Sequence, residues 1–98
     1  MKKRILGHHA IRRREQQVWQ DLGGEYVILN LEAGVYYGLD DVGSRVWELI
    51  HSPATVEEIR DTLVAEYDVD PVRCEHDLLR LLQEMFSAGL VLVADGQA

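Results

Sequence analysis

Cysteine is almost missing from this chain, which holds a single one, Cys74, among 98 residues. One thiol excludes an internal disulfide and any cysteine-rich metal site. Long apolar runs are missing as well. None approaches the ~18 residues that a membrane-crossing helix needs, and nothing resembles a signal peptide, so a protein of the cytoplasm that stays off the membrane is expected. Basic residues are in deficit, ten against seventeen acidic ones, for a formal charge of −7. A surface of that sign repels phosphate backbones and argues against nucleic acid as a partner. The exceptions, Lys2-Lys3-Arg4 and Arg12-Arg13-Arg14, read most simply as a solvated tail.

The usual ingredients of catalysis are also absent. His8, His9, His51 and His76 share no metal-ligand spacing. Cys74 has no base near it in sequence and falls in the first turn of a helix, where an idle thiol is the simpler reading. Gly23-Gly24 joins two extended segments and does not precede a helix, so it is no phosphate loop. Glu57, Glu58 and Asp61 form a solvated face. Neither an enzyme nor a cofactor is expected.

What is present is a core-forming pattern in one domain, because so short a chain cannot bury two cores. Residues 1–10 lack periodicity and are expected to be loose, residues 11–93 form the domain, and 94–98 form a second loose end. The segment 25–50 organises the rest. Val27, Leu29 and Leu31 alternate with Tyr26, Ile28 and Asn30, and Val35, Tyr37 and Leu39 alternate with Tyr36 and Gly38, the period of two that strands show. Glu32-Ala33-Gly34 is a short connection, so the two arms pair as an antiparallel hairpin. The weak alternation of 11–22 predicts an edge strand that enters the hairpin through Gly23-Gly24, completing a three-stranded meander.

Three helices follow. Asp40 or Asp41 caps the first, with Val42, Val46, Leu49 and Ile50 on one stripe and Trp47 at its flank. Ser52-Pro53 ends it. Thr55 and Glu58 form a capping box for the second, which turns Val56, Ile59, Leu63 and Tyr67 inward. Asp70-Pro71 opens the third, and Gly89 closes it. That last helix carries Leu78, Leu79, Leu81, Leu82, Met85 and Phe86, a stripe too wide for one neighbour, so it packs on two surfaces or leaves part of itself free. Leu90-Val-Leu-Val93 folds back as a short β-like tail. Strands first and helices after them make an α+β domain similar to a winged helix-turn-helix, a resemblance of fold and not of function.

A winged-helix DNA reader is the first function to test. Its recognition helix should open with arginine, lysine, asparagine or glutamine. Here the third helix opens with Asp70, Glu75 and Asp77, and Arg73 and Arg80 are its only cations. A different feature is left over. Unpaired strand edges are usually blunted by charge or proline, and 35–39 has neither. An extended peptide can add there as a further strand, unless the chain's own first strand or a second copy of the protein holds that edge.

The wording of the segments Glu25-Tyr-Val-Ile-Leu-Asn-Leu, Gly34-Val-Tyr-Tyr-Gly-Leu-Asp, Val42-Gly-Ser-Arg-Val-Trp-Glu-Leu-Ile, Thr55-Val-Glu-Glu-Ile, Glu66-Tyr-Asp-Val-Asp and Ala88-Gly-Leu-Val resembles the PqqD family across about residues 12 to 93. Members are recognition elements for leader peptides of ribosomally made, post-translationally modified peptides. The Tyr-Tyr-Gly-Leu-Asp form is most similar to the free-standing B1 proteins of lasso-peptide clusters. The resemblance implies a non-catalytic protein that binds a precursor's leader as an added antiparallel strand and hands it to a B2-type leader peptidase. Carried over by position, it implies a peptide site at Val35, Tyr36, Tyr37, Gly38 and Leu39 with a wall from Asp77, Leu78, Leu81, Leu82 and Met85. Periodicity does not separate the core leucines of that wall from those of the groove. A PqqD-like chaperone serving a radical enzyme is the alternative partner assignment, and a homodimer through the same edge is also open.

Overall fold

The computed structural model describes residues 5–15 and 17–94. The expectations for Lys2-Lys3-Arg4 and for 95–98 lie outside the described residues. Three strands, β2 (Gln17–Asp21), β3 (Tyr26–Asn30) and β4 (Val35–Gly38), form an antiparallel meander in the order β2-β3-β4. Gly23 and Gly24, at φ +79 and +101, make the first turn in a conformation that L side chains resist. The meander, followed by α1 (Asp41–Leu49), α2 (Val56–Tyr67) and α3 (Pro71–Ser87), is the α+β arrangement the sequence predicts.

A second small sheet was not predicted. It joins β1 (Ala10–Arg13), β5 (Ala54–Thr55) and β6 (Val91–Ala94) in the order β5-β1-β6. The single strand expected over 11–22 is therefore two strands in two sheets. The chain is redirected between them by bonds to the end of the molecule: the Arg14 N–H donates to the Leu90 carbonyl at 3.0 Å, and Gln17 Nε2 donates to the Leu90 and Arg14 carbonyls at 2.8 and 2.7 Å. The tail 90–93 supplies the partner strand that β1 pairs with, so tertiary pairing overrides local alternation.

The N-terminal segment is also packed further back than expected. Ile5 and His9 are buried. The Gly7 and His9 carbonyls accept the Glu57 and Val56 N–H groups at 3.0 and 3.1 Å, answering free amides at the start of α2. The capping box there has both of its bonds, Glu58 N–H to Thr55 Oγ1 and Thr55 N–H to Glu58 Oε1.

Ile11, Ile28, Val46, Trp47, Ile50, Val56, Ile59, Leu82, Leu90 and Val91 make the centre of one core that both sheets and all three helices share. Two helical stripes differ from the sequence reading. On α1 the inward residues are Val46, Trp47 and Ile50, with Val42 exposed, and on α2 Tyr67 is exposed too. Both overhang the head of α3. A clasp ties the two sheets to α1: the Arg13 guanidinium lies 4.6 Å from the Trp47 ring centroid and 5.1 Å from that of Trp19, and donates to the Trp47 carbonyl through Nε at 3.0 Å. Burial between those rings pulls the pKa of Arg13 down, with Tyr26 and Glu48 opposing. Arg45 holds α1 to α2 by a two-pronged pair with Glu66, at 2.6 and 2.8 Å, and that bond lowers the pKa of the Glu66 carboxyl.

Candidate functional site: the open edge of β4 and the cleft beside α3

Among the described residues β4 has β3 on one side and no strand on the other. The ladder decides which of its main-chain groups are free. Leu39 N–H donates to the Tyr26 carbonyl at 2.8 Å, and in an antiparallel pair the groups alternate along the strand. Residues 35, 37 and 39 therefore turn their main chain toward β3. Tyr36 and Gly38 turn theirs to the open side, presenting two donors and two acceptors.

The side chains alternate as well, with directly paired residues on one face. Tyr37, opposite buried Ile28, lies on the inner face with Leu39. Tyr36, opposite Leu29, lies on the outer face and is 70% exposed. The inner face borders a cleft of about 290 Å³ lined by Tyr37, Gly38, Leu39, Asp40 and Gly43 on one side and by Leu81, Glu84, Met85, Ala88 and Leu90 on the other. Arg80, Gln83 and Ser87 extend the α3 wall outward past Tyr37. The lining is mixed, with Tyr37, Leu39, Leu81, Met85, Ala88 and Leu90 beside the Asp40 and Glu84 carboxylates.

Two buried side chains hold this cleft open, and neither was singled out from the sequence. At one end Asn30 Nδ2 donates to the Ala88 carbonyl at 2.9 Å while its Oδ1 accepts the Glu32 and Ala33 N–H groups of the hairpin turn. One amide thus fixes both the turn and its distance from the end of α3. Gly89 makes room for it: a Cβ there would come within 3.0 Å of Asn30 Nδ2, and φ is +78. At the other end the Ser44 hydroxyl accepts the Tyr26 N–H at 2.9 Å and donates to the Leu39 carbonyl at 3.2 Å, standing in for a ladder bond where the strands splay into α1. Ser44→Ala leaves both groups buried without a partner, which costs about 1–3 kcal/mol. The expected result is a fall in melting temperature of roughly 10 °C, read by thermal unfolding. Such a polar linker in an apolar run is a signal that pattern reading passes over, because serine and asparagine are also ordinary turn and cap residues.

The sequence-predicted wall divides in three. Leu81 and Met85 line the cleft. Leu78 and Leu82 do not: they are buried in the core, as Met85 also is except where it borders the cleft, and Leu78 and Leu82 are absent from the cleft lining, so their assignment to a groove is corrected. Asp77 sits one turn earlier on α3, at the rim of a separate hollow beside Arg73, 3.9 Å away. On the strand, Gly38 and Leu39 line the cleft with Tyr37, Val35 lies outside the lining at the hairpin end of β4, and Tyr36 offers the edge its main chain and not its side chain.

Nothing in the cleft makes a catalytic set. Asp40 Oδ1 accepts the Gly43 N–H as the cap of α1, and Glu84 has no nucleophile beside it in the lining. The Cys74 thiol lies outside the cleft, and burial followed by the nearby Asp77 charge pushes its pKa up, away from the reactive thiolate. Among the described residues no group of three or more metal-ligating side chains comes together, and no helix is long and apolar enough to cross a membrane.

The family model described as "Coenzyme PQQ synthesis protein D (PqqD)" matches residues 25–91. No curated protein matches the sequence. Among solved structures, the chain is 38% identical to TbiB1 in complex with the TbiA(beta) leader peptide, covering 82% of this chain and 93% of that one with a TM-score of 0.77. Two more distant structures share the fold. One is the PqqD truncation of Methylobacterium extorquens PqqCD, described as a stand-alone recognition element for ribosomally synthesised and post-translationally modified peptides (24% identity, 90% and 94% covered, TM-score 0.75). The other is a lasso peptide synthetase B1 complexed with its leader peptide (21% identity, 84% and 96% covered, TM-score 0.74).

Proposed function

Since the chain belongs to the PqqD family, we propose that it is a non-catalytic recognition protein for the leader of a ribosomally made precursor peptide, most simply a lasso-peptide precursor. The carrying observation is the coincidence of an open β4 edge with a cleft along it that mixes apolar side chains with the Asp40 and Glu84 carboxylates. An extended leader adds as a fourth strand to the meander. Tyr36 and Gly38 hold its main chain, and every second leader side chain enters the cleft over Tyr37, Leu81 and Met85. Main-chain bonds supply affinity for any extended peptide, whereas the cleft selects apolar anchors. The peptide-site assignment thus rests on Val35, Tyr36, Tyr37, Gly38, Leu39, Leu81 and Met85.

Bound leader is delivered to a B2-type leader peptidase, whose local substrate concentration rises by tethering. The cytoplasm, where precursors are made, is the setting. The similarity to TbiB1, solved with a leader peptide, at 38% identity supports leader binding, the Tyr-Tyr-Gly-Leu-Asp wording favours the lasso-type partner, and a radical enzyme acting on another precursor is the alternative. Both use one binding mode, and the leader that binds distinguishes them. Isothermal titration with the leader of the precursor encoded beside this gene should show saturable one-to-one binding at micromolar strength or better. Absence of heat together with absence of any amide chemical-shift change would contradict the proposal. A saturating gel shift on duplex DNA would instead restore the DNA-reader reading, which the −7 charge opposes.

A further inference from the structure

A second hollow, of about 210 Å³, opens at the head of α3 between Val42 of α1, Leu63 and Tyr67 of α2, Val69 of the linking segment, and Cys74. Val42, Tyr67 and Val69 stand 42, 42 and 43% exposed around it, a cluster of large apolar side chains that a small soluble domain does not leave open at random. We propose that this hollow is a second binding subsite, which takes one large apolar side chain, leucine or aromatic, from the flank of the same peptide that pairs with β4. The inference rests on the leader reading above and adds to it a specific anchor outside the strand.

Continuity argues for that occupant. Val42, in the first turn of α1, lies in sequence between Asp40 and Gly43, which line the main cleft, and Asp77 at the rim of the hollow lies one α3 turn before Leu81 in the cleft. One turn is on the order of 6 Å along the helix, which two residues of extended peptide span. A chain leaving the Leu39 end of β4 therefore meets the hollow without a detour. Size argues the same way, since sites for small-molecule cofactors run to roughly 300–1,000 Å³ and this hollow is smaller. Its charged neighbours answer one another: Asp70 accepts the Arg73 N–H at 2.9 Å, and Arg73 lies against Asp77. Asp70 is engaged by a backbone amide and Arg73 only by Asp77, so the rim keeps one net negative charge, while Val42, Leu63, Tyr67, Val69 and Cys74 give the hollow an apolar interior whose burial is what it offers.

The test uses Val42→Glu and Val69→Glu, two exposed positions on different elements, with melting temperatures as the control for folding. The probe is the leader of the precursor encoded beside this gene, full length and trimmed at each end in turn. Each variant should bind the full leader roughly ten- to hundred-fold more weakly than the wild type, the equivalent of one lost anchor. For one of the two trimmed leaders, variants and wild type should bind alike. Equal affinity of variants and wild type for the full leader overturns the second subsite while leaving the leader reading intact. An equal loss with both trimmed forms overturns it as well, because the effect then comes from elsewhere. Failure of the wild type to bind any of the three peptides overturns the leader reading itself, and this inference with it.

Discussion

Proline in place of Gly38 is expected to weaken leader binding at least about ten-fold while moving the melting temperature little. The N–H at position 38 faces away from β3, so its loss breaks no bond within the sheet, and edge strands tolerate proline for that reason. An incoming strand loses one main-chain bond worth about 1 kcal/mol and meets the ring where its own backbone must pass. Alanine is the control. A Cβ at Gly38 touches nothing within 4 Å and the residue is not in the left-handed region, so Gly38→Ala keeps the donor without strain and should bind close to the wild type. Titration calorimetry of the three proteins against one leader decides the matter. Wild-type affinity in the proline variant would mean that the peptide does not pair at Gly38.

Trp47→Ala should bring the largest loss of stability. The indole is only 1% exposed, it lies beneath the Arg13 guanidinium, and its own carbonyl receives that guanidinium's bonds. Removing the ring leaves a cavity at the point where both sheets meet α1 and takes away the aromatic face under Arg13, while the main-chain carbonyl that holds Arg13 stays. Large aromatic truncations of this kind cost about 3–5 kcal/mol, a major share of the 5–15 kcal/mol that a domain has in total, roughly speaking. A fall of on the order of 20 °C in melting temperature follows. The indole Nε1 is buried without a hydrogen-bond partner among the described residues, so the residue works through size and ring face. Trp47→Phe, which deletes that idle N–H and keeps a ring under Arg13, should cost less than half as much. Urea denaturation of both variants measures the difference, and a Trp47→Ala protein within about 1 kcal/mol of the wild type would show that the clasp carries little.

Signals that act within a few residues were legible in the sequence. Asp40, the Thr55-Glu58 box, Asp70-Pro71 and Gly89 each mark a helix end where the structure has one, because a cap needs only its own turn to work. Pairing between distant segments was less so. The split of 11–22 into β1 and β2 depends on the tail from Leu90 onward, some seventy residues away along the chain. Alternation in β3 also left open which set faces in: the buried set is Tyr26, Ile28 and Asn30, and Val27 and Leu29 fall on the other face. On α3, Leu78 and Leu82 differ from Leu81 only by rotation about the helix axis, and no composition rule tells core from cleft at that resolution. Asn30 and Ser44 were invisible for a related reason, since their roles lie in bonds to Ala88, Tyr26 and Leu39 that only the folded chain brings near.

Amide hydrogen exchange on isotope-labelled protein, followed residue by residue with and without leader, probes the β4 edge most directly. Tyr36 and Gly38 amides should exchange quickly in the free protein and become strongly protected when leader is added, with Tyr37 and Leu39, already bonded toward β3, changing far less. Leader binding that leaves the Tyr36 and Gly38 amides exchanging as before would contradict strand addition at this edge.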